Sequence, residues 1–469
     1  MAFRLLAPAA VLRSPAFARL FERDRSSRAL LADFPDLRVM IKKTLAVEDD
    51  DQGTATLVPA SQERAGSPPT PAPGSNLSGR VHVLFIIDQL CEMGGAERVL
   101  LNMIRLLPKD RFRCTLVTFK IDPRFSIFEN FPCVWLVMPL KRSYDWNALQ
   151  VAGWLRRLIR DQQVDVVHTF FETSDLFGGL VARLSGAPVL VSSRRDLGIL
   201  RNWKHQLAYG LLSPLYDLVL AVSEGVRRSC IAQDRLDPDK VLTLYNGIEV
   251  DKATSQTDVS VLRASLGLSG ASHLISTVAH IRQVKGLDIL IRAAAKVCQQ
   301  FPRAVFLIIG DIHERQYYDQ LLELRESLEL GNNVRFHGPA EDVFPLLKMS
   351  DIFCLASRSE GFSNALVEAM ACSLPCVATR VGGNSEAVED GRTGYLVESE
   401  DPEAIADRIL ALLGQPERAK AMGSQGRRIV EANFTAQAMI SRLASVYDSV
   451  LHAKRQASLS GQKAETATS

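Results

Sequence analysis

From Val81 onward, short uncharged apolar runs alternate with longer stretches in which apolar residues recur every three or four positions. The runs have the pattern of strands covered on both faces, and the longer stretches that of helices with one buried stripe. Strands are expected over 81–87, 114–119, 134–137, 164–168, 189–192 and 218–222, with helices over 96–107 and 154–160. After the turn signal Asn246-Gly247 and a polar connection over 249–272, the alternation resumes. Strands are expected there over 274–279, 305–310, 334–338, 352–356 and 376–378, with an amphipathic helix over 287–299. Asp401-Pro402 marks a further helix start, a cap followed by proline at the first helical position. Strands alternating with helices predict parallel sheets, and the polar break predicts two α/β domains.

Candidate chemistry concentrates between residues 350 and 400. The apolar run 352–356 is followed by polar turn residues, and then by a helix that Ser363 or Asn364 can cap. Its buried face carries Ala365, Leu366, Ala369 and Met370, and Pro375 bars its continuation. In parallel sheets ligands bind at the carboxyl ends of strands, where Glu360, Gly361 and Phe362 fall, and a helix amino end offers free N–H groups to an anion. Glu368 lies roughly 6 Å along the helix axis from Asn364. Either glutamate alone reads as a loop charge or a dipole-favoured residue; together they flank one anion-binding helix start. Arg282 and Lys285, in a loop after the strand over 274–279, are placed to neutralise a diphosphate. Gly94 and Gly95, between the first strand and its helix, let backbone approach a phosphate, although the GxGxxG of a dinucleotide fold is missing. His168 ends a strand at the ligand-binding edge; a capped core histidine is the alternative reading.

Composition narrows the function classes. The 469 residues suffice for two domains, and 47% hydrophobic content supports full cores. With 55 basic and 53 acidic residues the net charge is +2, which argues against a general nucleic-acid binder. Eight cysteines without a CxxC pair read as reduced thiols of a cytoplasmic protein. The histidines show no ligand spacing, so neither a metal site nor a cofactor is expected. Residues 1–79 form an extension: Arg-rich at first, with its apolar runs broken by Pro8, Arg13 and Pro15, then rich in Pro, Ser and Gly, the composition of a disordered linker. A targeting peptide and a simple upstream extension both fit its first part. No run reaches the ~18 apolar residues of a membrane span. The basic, Trp203-containing stretch over 192–207 reads as a solvated helix face, as a peripheral contact with the cytoplasmic face of a membrane, or as a contact with a lipid-linked acceptor.

The run Glu360-Gly-Phe-Ser-Asn-Ala-Leu-Val-Glu368 resembles the Glu, seven residues, Glu motif of the group 1 glycosyltransferases, retaining enzymes of family four. Lys285-Gly286 resembles the same family's Gly-Arg-Leu, three residues, Lys-Gly motif, with His280 at the family's Arg position and an arginine at Arg282 instead. Gly94-Gly95-Ala-Glu-Arg looks like the family loop that faces the donor diphosphate. The resemblance covers about residues 81–451 and implies the GT-B architecture, two Rossmann-like domains facing across a cleft. On it, residues 80–250 form the acceptor domain and 251–435 the nucleotide-sugar domain. A helix over 436–452 crosses back to the first, and a disordered tail follows over 453–469. It also implies site roles. Glu360 and His168 lie by the donor sugar, Glu368 binds the ribose, and Lys285, with Arg282 in place of the missing arginine, faces the diphosphate. Gly94, Gly95, Gly361, Phe362, Ser363 and Asn364 complete the donor site. The expected activity is metal-independent transfer of a sugar from a nucleotide diphosphate sugar to a saccharide or lipid-linked saccharide in bacterial polysaccharide, lipopolysaccharide or glycolipid synthesis. An epimerase on the same scaffold and a non-catalytic nucleotide-sugar binder are the alternatives.

Overall fold

The computed structural model describes residues 79–90, 94–121, 131–143, 145–198 and 203–467; the expectation for the extension over 1–79 falls almost wholly outside them. The apolar runs form two sheets. The first contains β1 (Val81–Ile87), β2 (Phe112–Thr118), β3 (Val134–Val137), β4 (Val166–Phe170), β5 (Val189–Arg194), β6 (Leu218–Ala221) and β7 (Val241–Thr243), in the order β3-β2-β1-β4-β5-β6-β7. The second contains β8 (His273–Val278), β9 (Ala304–Ile309), β10 (Val334–Gly338), β11 (Ile352–Leu355), β12 (Cys376–Thr379) and β13 (Gly394–Val397), in the order β10-β9-β8-β11-β12-β13. Every strand pair is parallel. In each sheet the strand order reverses next to the first strand, between β1 and β4 and between β8 and β11. Such a switch point opens a crevice at the carboxyl ends, because the two connections leave in opposite directions.

Helices cover both faces, as strands buried on both sides require. The Gly95–Leu106 helix turns Val99, Leu100, Met103 and Ile104 inward, and the Leu287–Gln300 helix buries Leu287, Leu290, Ile291, Ala294 and Val297. The helix expected over 154–160 begins earlier, at Trp146, because the Asp145 carboxylate accepts a hydrogen bond from Ala148 N at 2.9 Å and caps it. Strands β7 and β13, of three and four residues, add to those expected from the sequence.

Two chain crossings join the domains. Ile248 N donates to Phe434 O at 2.9 Å and Ala436 N to Ile248 O at 2.8 Å, so the outgoing and returning segments pair side by side. The returning helix inserts Met439, Ile440, Leu443, Tyr447 and Leu451 into the core of the first sheet. It spans Ala436–Ala467, through residues expected to be a disordered tail; Ala, Lys, Gln and Glu there have good helix propensity and extend a helix already nucleated by packing. Among the described residues no helix is long and apolar enough to cross a membrane.

Candidate active site

The loops after β8 and β11 leave the switch point of the second sheet as neighbours, and this brings residues 75 positions apart into contact. Lys285 Nζ donates to Glu360 Oε1 at 2.7 Å, and Ser357 Oγ donates to the same oxygen at 2.7 Å. The lysine side chain is 24% exposed and the glutamate 8%, so the pair is screened from bulk water yet open on the lysine side. Lys285 ends the short turn Gln283–Lys285, and Gly286 follows with φ +60°; a Cβ there would lie 2.1 Å from Ala356 O, so only glycine lets the turn press against the β11 loop.

Ser363 caps the Asn364–Ala371 helix, accepting from Leu366 N at 3.3 Å. Asn364 then reaches the other domain. Its Nδ2 donates to Gly95 O at 3.2 Å, while its Oδ1 accepts from Asn246 Nδ2 at 2.6 Å. Asn246 in turn accepts from Arg195 Nη2 at 2.6 Å. The glycine loop opening the Gly95–Leu106 helix and the start of the Asn364–Ala371 helix therefore meet across the domain junction. Gly361 is also at this junction: a Cβ on it would fall 2.1 Å from Arg195 O. Glu368, one turn along its helix, has its carboxyl raised above the usual range, by burial first and by Asp342, against the opposing charges of Arg98 and Lys252.

Two expected site residues, His168 and Phe362, lie elsewhere, and a third, Arg282, is exposed beside the lysine turn. His168 sits inside β4 and is fully buried; its Nδ1 is 2.6 Å from Tyr447 Oη and its Nε2 is 2.9 Å from Ser193 Oγ. Burial, with the charge of Arg195, pushes its pKa down to about 3. Its side chain points into the layer between β4 and the returning helix, not to the sheet edge, so the sequence placement is corrected to a satisfied core histidine. Phe362, 7% exposed, packs with Tyr245 and Phe434 at ring separations of 5.3 Å each, a hydrophobic clasp at the domain crossing and not a donor-facing ring. Arg282 is exposed ahead of the Gln283–Lys285 turn, while His280 stacks on His313 at 4.0 Å. His280 is pushed down to about 4, by burial first and then by His313, Arg282 and Lys285, so the family's arginine position holds a neutral ring.

Other pairings between the segments arise only through the fold. Glu386 accepts from Glu224 N at 2.7 Å and Gly225 N at 2.8 Å, so a carboxylate of one domain closes the amino end of a helix of the other. Its partners lie about 160 positions away, and only the fold pairs them. The basic stretch at Ser192 divides: Arg194 is buried against Asp175 at 2.7 Å and over the Tyr209 ring at 3.9 Å, whereas Trp203 is 66% exposed. No cluster of three or more metal-ligating side chains occurs among the described residues.

Comparison with known proteins agrees with this geometry. Residues 258–429 match the family described as glycosyl transferases group 1, and residues 93–252 match Glycosyltransferase Family 4. The N-acetyl-alpha-D-glucosaminyl L-malate synthase of Bacillus anthracis is 33% identical over 236 residues, 50% of this chain and 60% of that protein. D-inositol 3-phosphate glycosyltransferase 1 of Catenulispora acidiphila is 31% identical over 310 residues, 62% of this chain and 73% of that protein. Among solved structures, Anabaena HepE in complex with UDP superposes with a TM-score of 0.71 at 23% identity, over 79% of this chain and 100% of that one, a likeness of fold. With both halves matched in sequence and two parallel-sheet domains meeting at their carboxyl edges, this chain belongs to the group 1, family 4 glycosyltransferases of GT-B architecture.

Proposed function

We propose that the chain transfers a sugar from a nucleoside diphosphate sugar to an acceptor hydroxyl, with retention of configuration and without a divalent cation. The contact between Lys285 and Glu360 at the switch point carries this reading. A cation fixed at the carboxyl edge, near a helix start, is an arrangement for a leaving diphosphate. As the bond between the anomeric carbon and the phosphate oxygen breaks, charge grows on that oxygen, and the Lys285 ammonium offsets it. The acceptor oxygen forms the new bond on the same face, and its proton passes to the departing phosphate. Glu360 orients the ammonium and accepts from a sugar hydroxyl; Glu368 accepts from the ribose diol, hydrogen bonds that favour its ionised form. Gly94, Gly95, Gly361, Ser363 and Asn364 line the diphosphate path.

The relatives' names guide the choice of substrates. Anabaena HepE was solved with UDP-glucose, and an Escherichia coli relative, 24% identical over 68% of this chain and 84% of its own, is named for galactosyl transfer from UDP-Gal to a diphosphoundecaprenol-linked sugar. Uridine donors and lipid-linked saccharide acceptors of bacterial envelope synthesis therefore head the panel, with products read by mass spectrometry. Lys285→Ala should cost roughly 3 to 4 kcal/mol, on the order of 10² to 10³ in kcat, with little change in nucleotide affinity. Glu368→Ala should act mainly on KM and on UDP affinity, by roughly 1.5 to 3 kcal/mol. Glu360→Gln should slow transfer with UDP affinity kept. If Glu360→Gln abolished UDP binding while Glu368→Ala kept it, the donor would lie the other way along this helix. Donor isomerisation without an acceptor would favour an epimerase.

A further inference from the structure

Two residues before Glu360, the guanidinium of Arg358 spans the two loops that form the site. Its Nη1 and Nη2 donate to Asp288 Oδ1 and Oδ2 at 2.9 Å each, a two-point fork on the first turn of the Leu287–Gln300 helix. Nη1 also donates to Gln283 O at 2.6 Å, and the backbone N of Arg358 donates to Val284 O at 2.8 Å. Three hydrogen-bonding groups of one residue thus grip Gln283, Val284 and Asp288, on either side of Lys285. Glu400 holds the guanidinium from behind, accepting from Nε at 2.5 Å and from Nη2 at 3.2 Å. Tyr317 Oη donates to Asp288 Oδ1 at 2.5 Å, locking the acceptor of the fork as well. Burial alone would raise the Asp288 carboxyl, but hydrogen bonds from Arg358 and Tyr317 hold it below the usual range.

This grip acts on the backbone of the turn that carries Lys285, while Glu360 holds only the tip of the lysine side chain, at 2.7 Å. Lys285 is a flexible side chain on a three-residue turn, and of the contacts that fix the backbone of that turn to the β11 loop, those from Arg358 are direct hydrogen bonds. We infer that Arg358 is a positioning residue, which sets the Lys285 ammonium where the diphosphate leaves by clamping the Gln283–Lys285 turn to the Glu360 loop. A lysine in its place keeps the charge but cannot form the fork and reach Gln283 O together.

The inference rests on the proposed role of Lys285, and a double-mutant cycle in the full chain separates the two. Single and paired variants Lys285→Ala and Arg358→Ala are assayed for kcat and KM with the best donor of the uridine panel, for UDP affinity by calorimetry and for thermal unfolding. Arg358→Ala should lower kcat by about 10- to 50-fold in the native background, with UDP affinity within about threefold, and by less than about twofold once Lys285 is already alanine. Arg358→Lys, the variant to use if the alanine fails to fold, should lose about 3- to 10-fold and show the same silence behind Lys285→Ala. Equal loss in both backgrounds, or a lowered melting temperature with unchanged kcat, makes Arg358 a structural ion-pair residue and overturns the inference. No effect of Lys285→Ala itself overturns the proposed chemistry and the inference with it.

Discussion

His168 offers the sharpest separation between a catalytic reading and a packing one. Its ring stands 4.8 Å from Phe170 and 5.5 Å from Phe85 and meets Tyr447 edge-on at 5.9 Å, with both nitrogens engaged. His168→Ala removes these contacts and leaves the hydroxyls of Tyr447 and Ser193 buried without a partner. Each stranded group costs about 1–3 kcal/mol, and the cavity in an aromatic setting about 2–4 more. Against a typical stability of about 5–15 kcal/mol, this variant should unfold or purify poorly. Two milder changes therefore carry the test. Tyr447→Phe keeps the volume and strands only the Nδ1 side of the imidazole, for about 1–3 kcal/mol; His168→Gln keeps one hydrogen bond, for about 2–3 kcal/mol. Urea unfolding of both should show lowered midpoints, while kcat and KM, assayed well below the transition, stay within about threefold of the native enzyme. An unchanged midpoint with a hundredfold lower kcat for His168→Gln would refute the core assignment and restore the histidine to the cleft.

Three further outcomes are expected. On the proposed chemistry, in which Lys285 and the helix start at Asn364 supply the positive potential, transfer should survive dialysis against EDTA; Mg²⁺-rescuable loss would refute the metal-free chemistry. Gly286→Ala places a methyl 2.1 Å from Ala356 O at a φ of +60°, so it should cost more than about 1 kcal/mol of stability and displace Lys285, read as lost transfer with UDP binding retained. His82, nearly fully buried, is held down to about 4, chiefly by burial. Its folded pKa lies below the unfolded value near 6.5, so between these values the unfolded chain binds a proton that the native one does not. Stability is therefore full above about pH 6.5 and falls with pH toward 4. On going from pH 7 to 5 the native protein should lose up to about 2 kcal/mol relative to His82→Gln, measured by urea unfolding at both values.

Periodicity and punctuation decide local matters, and here they reached far. Short uncharged runs such as Ile352–Leu355 fit strands covered on both faces, and Ser363 with Pro375 brackets the Asn364–Ala371 helix, because capping and proline act over a few bonds. The Glu360 and Glu368 spacing was legible for the same reason: one loop and one helix turn fix it. Lys285 and Glu360 could be nominated separately, but their 2.7 Å contact exists only because β8 and β11 are neighbours at a switch point, a property of strand order that no local pattern encodes. His168 was misplaced because a strand's end and its interior differ by two residues, and because the partner that buries it, Tyr447, is 279 positions away. Phe362 and Arg358 flank the same glutamate in sequence, yet one closes on Tyr245 and Phe434 and the other grips Asp288. Which neighbour each finds depends on where the two domains cross, and burial there is settled by packing between distant segments, after the local pattern has done all that it can.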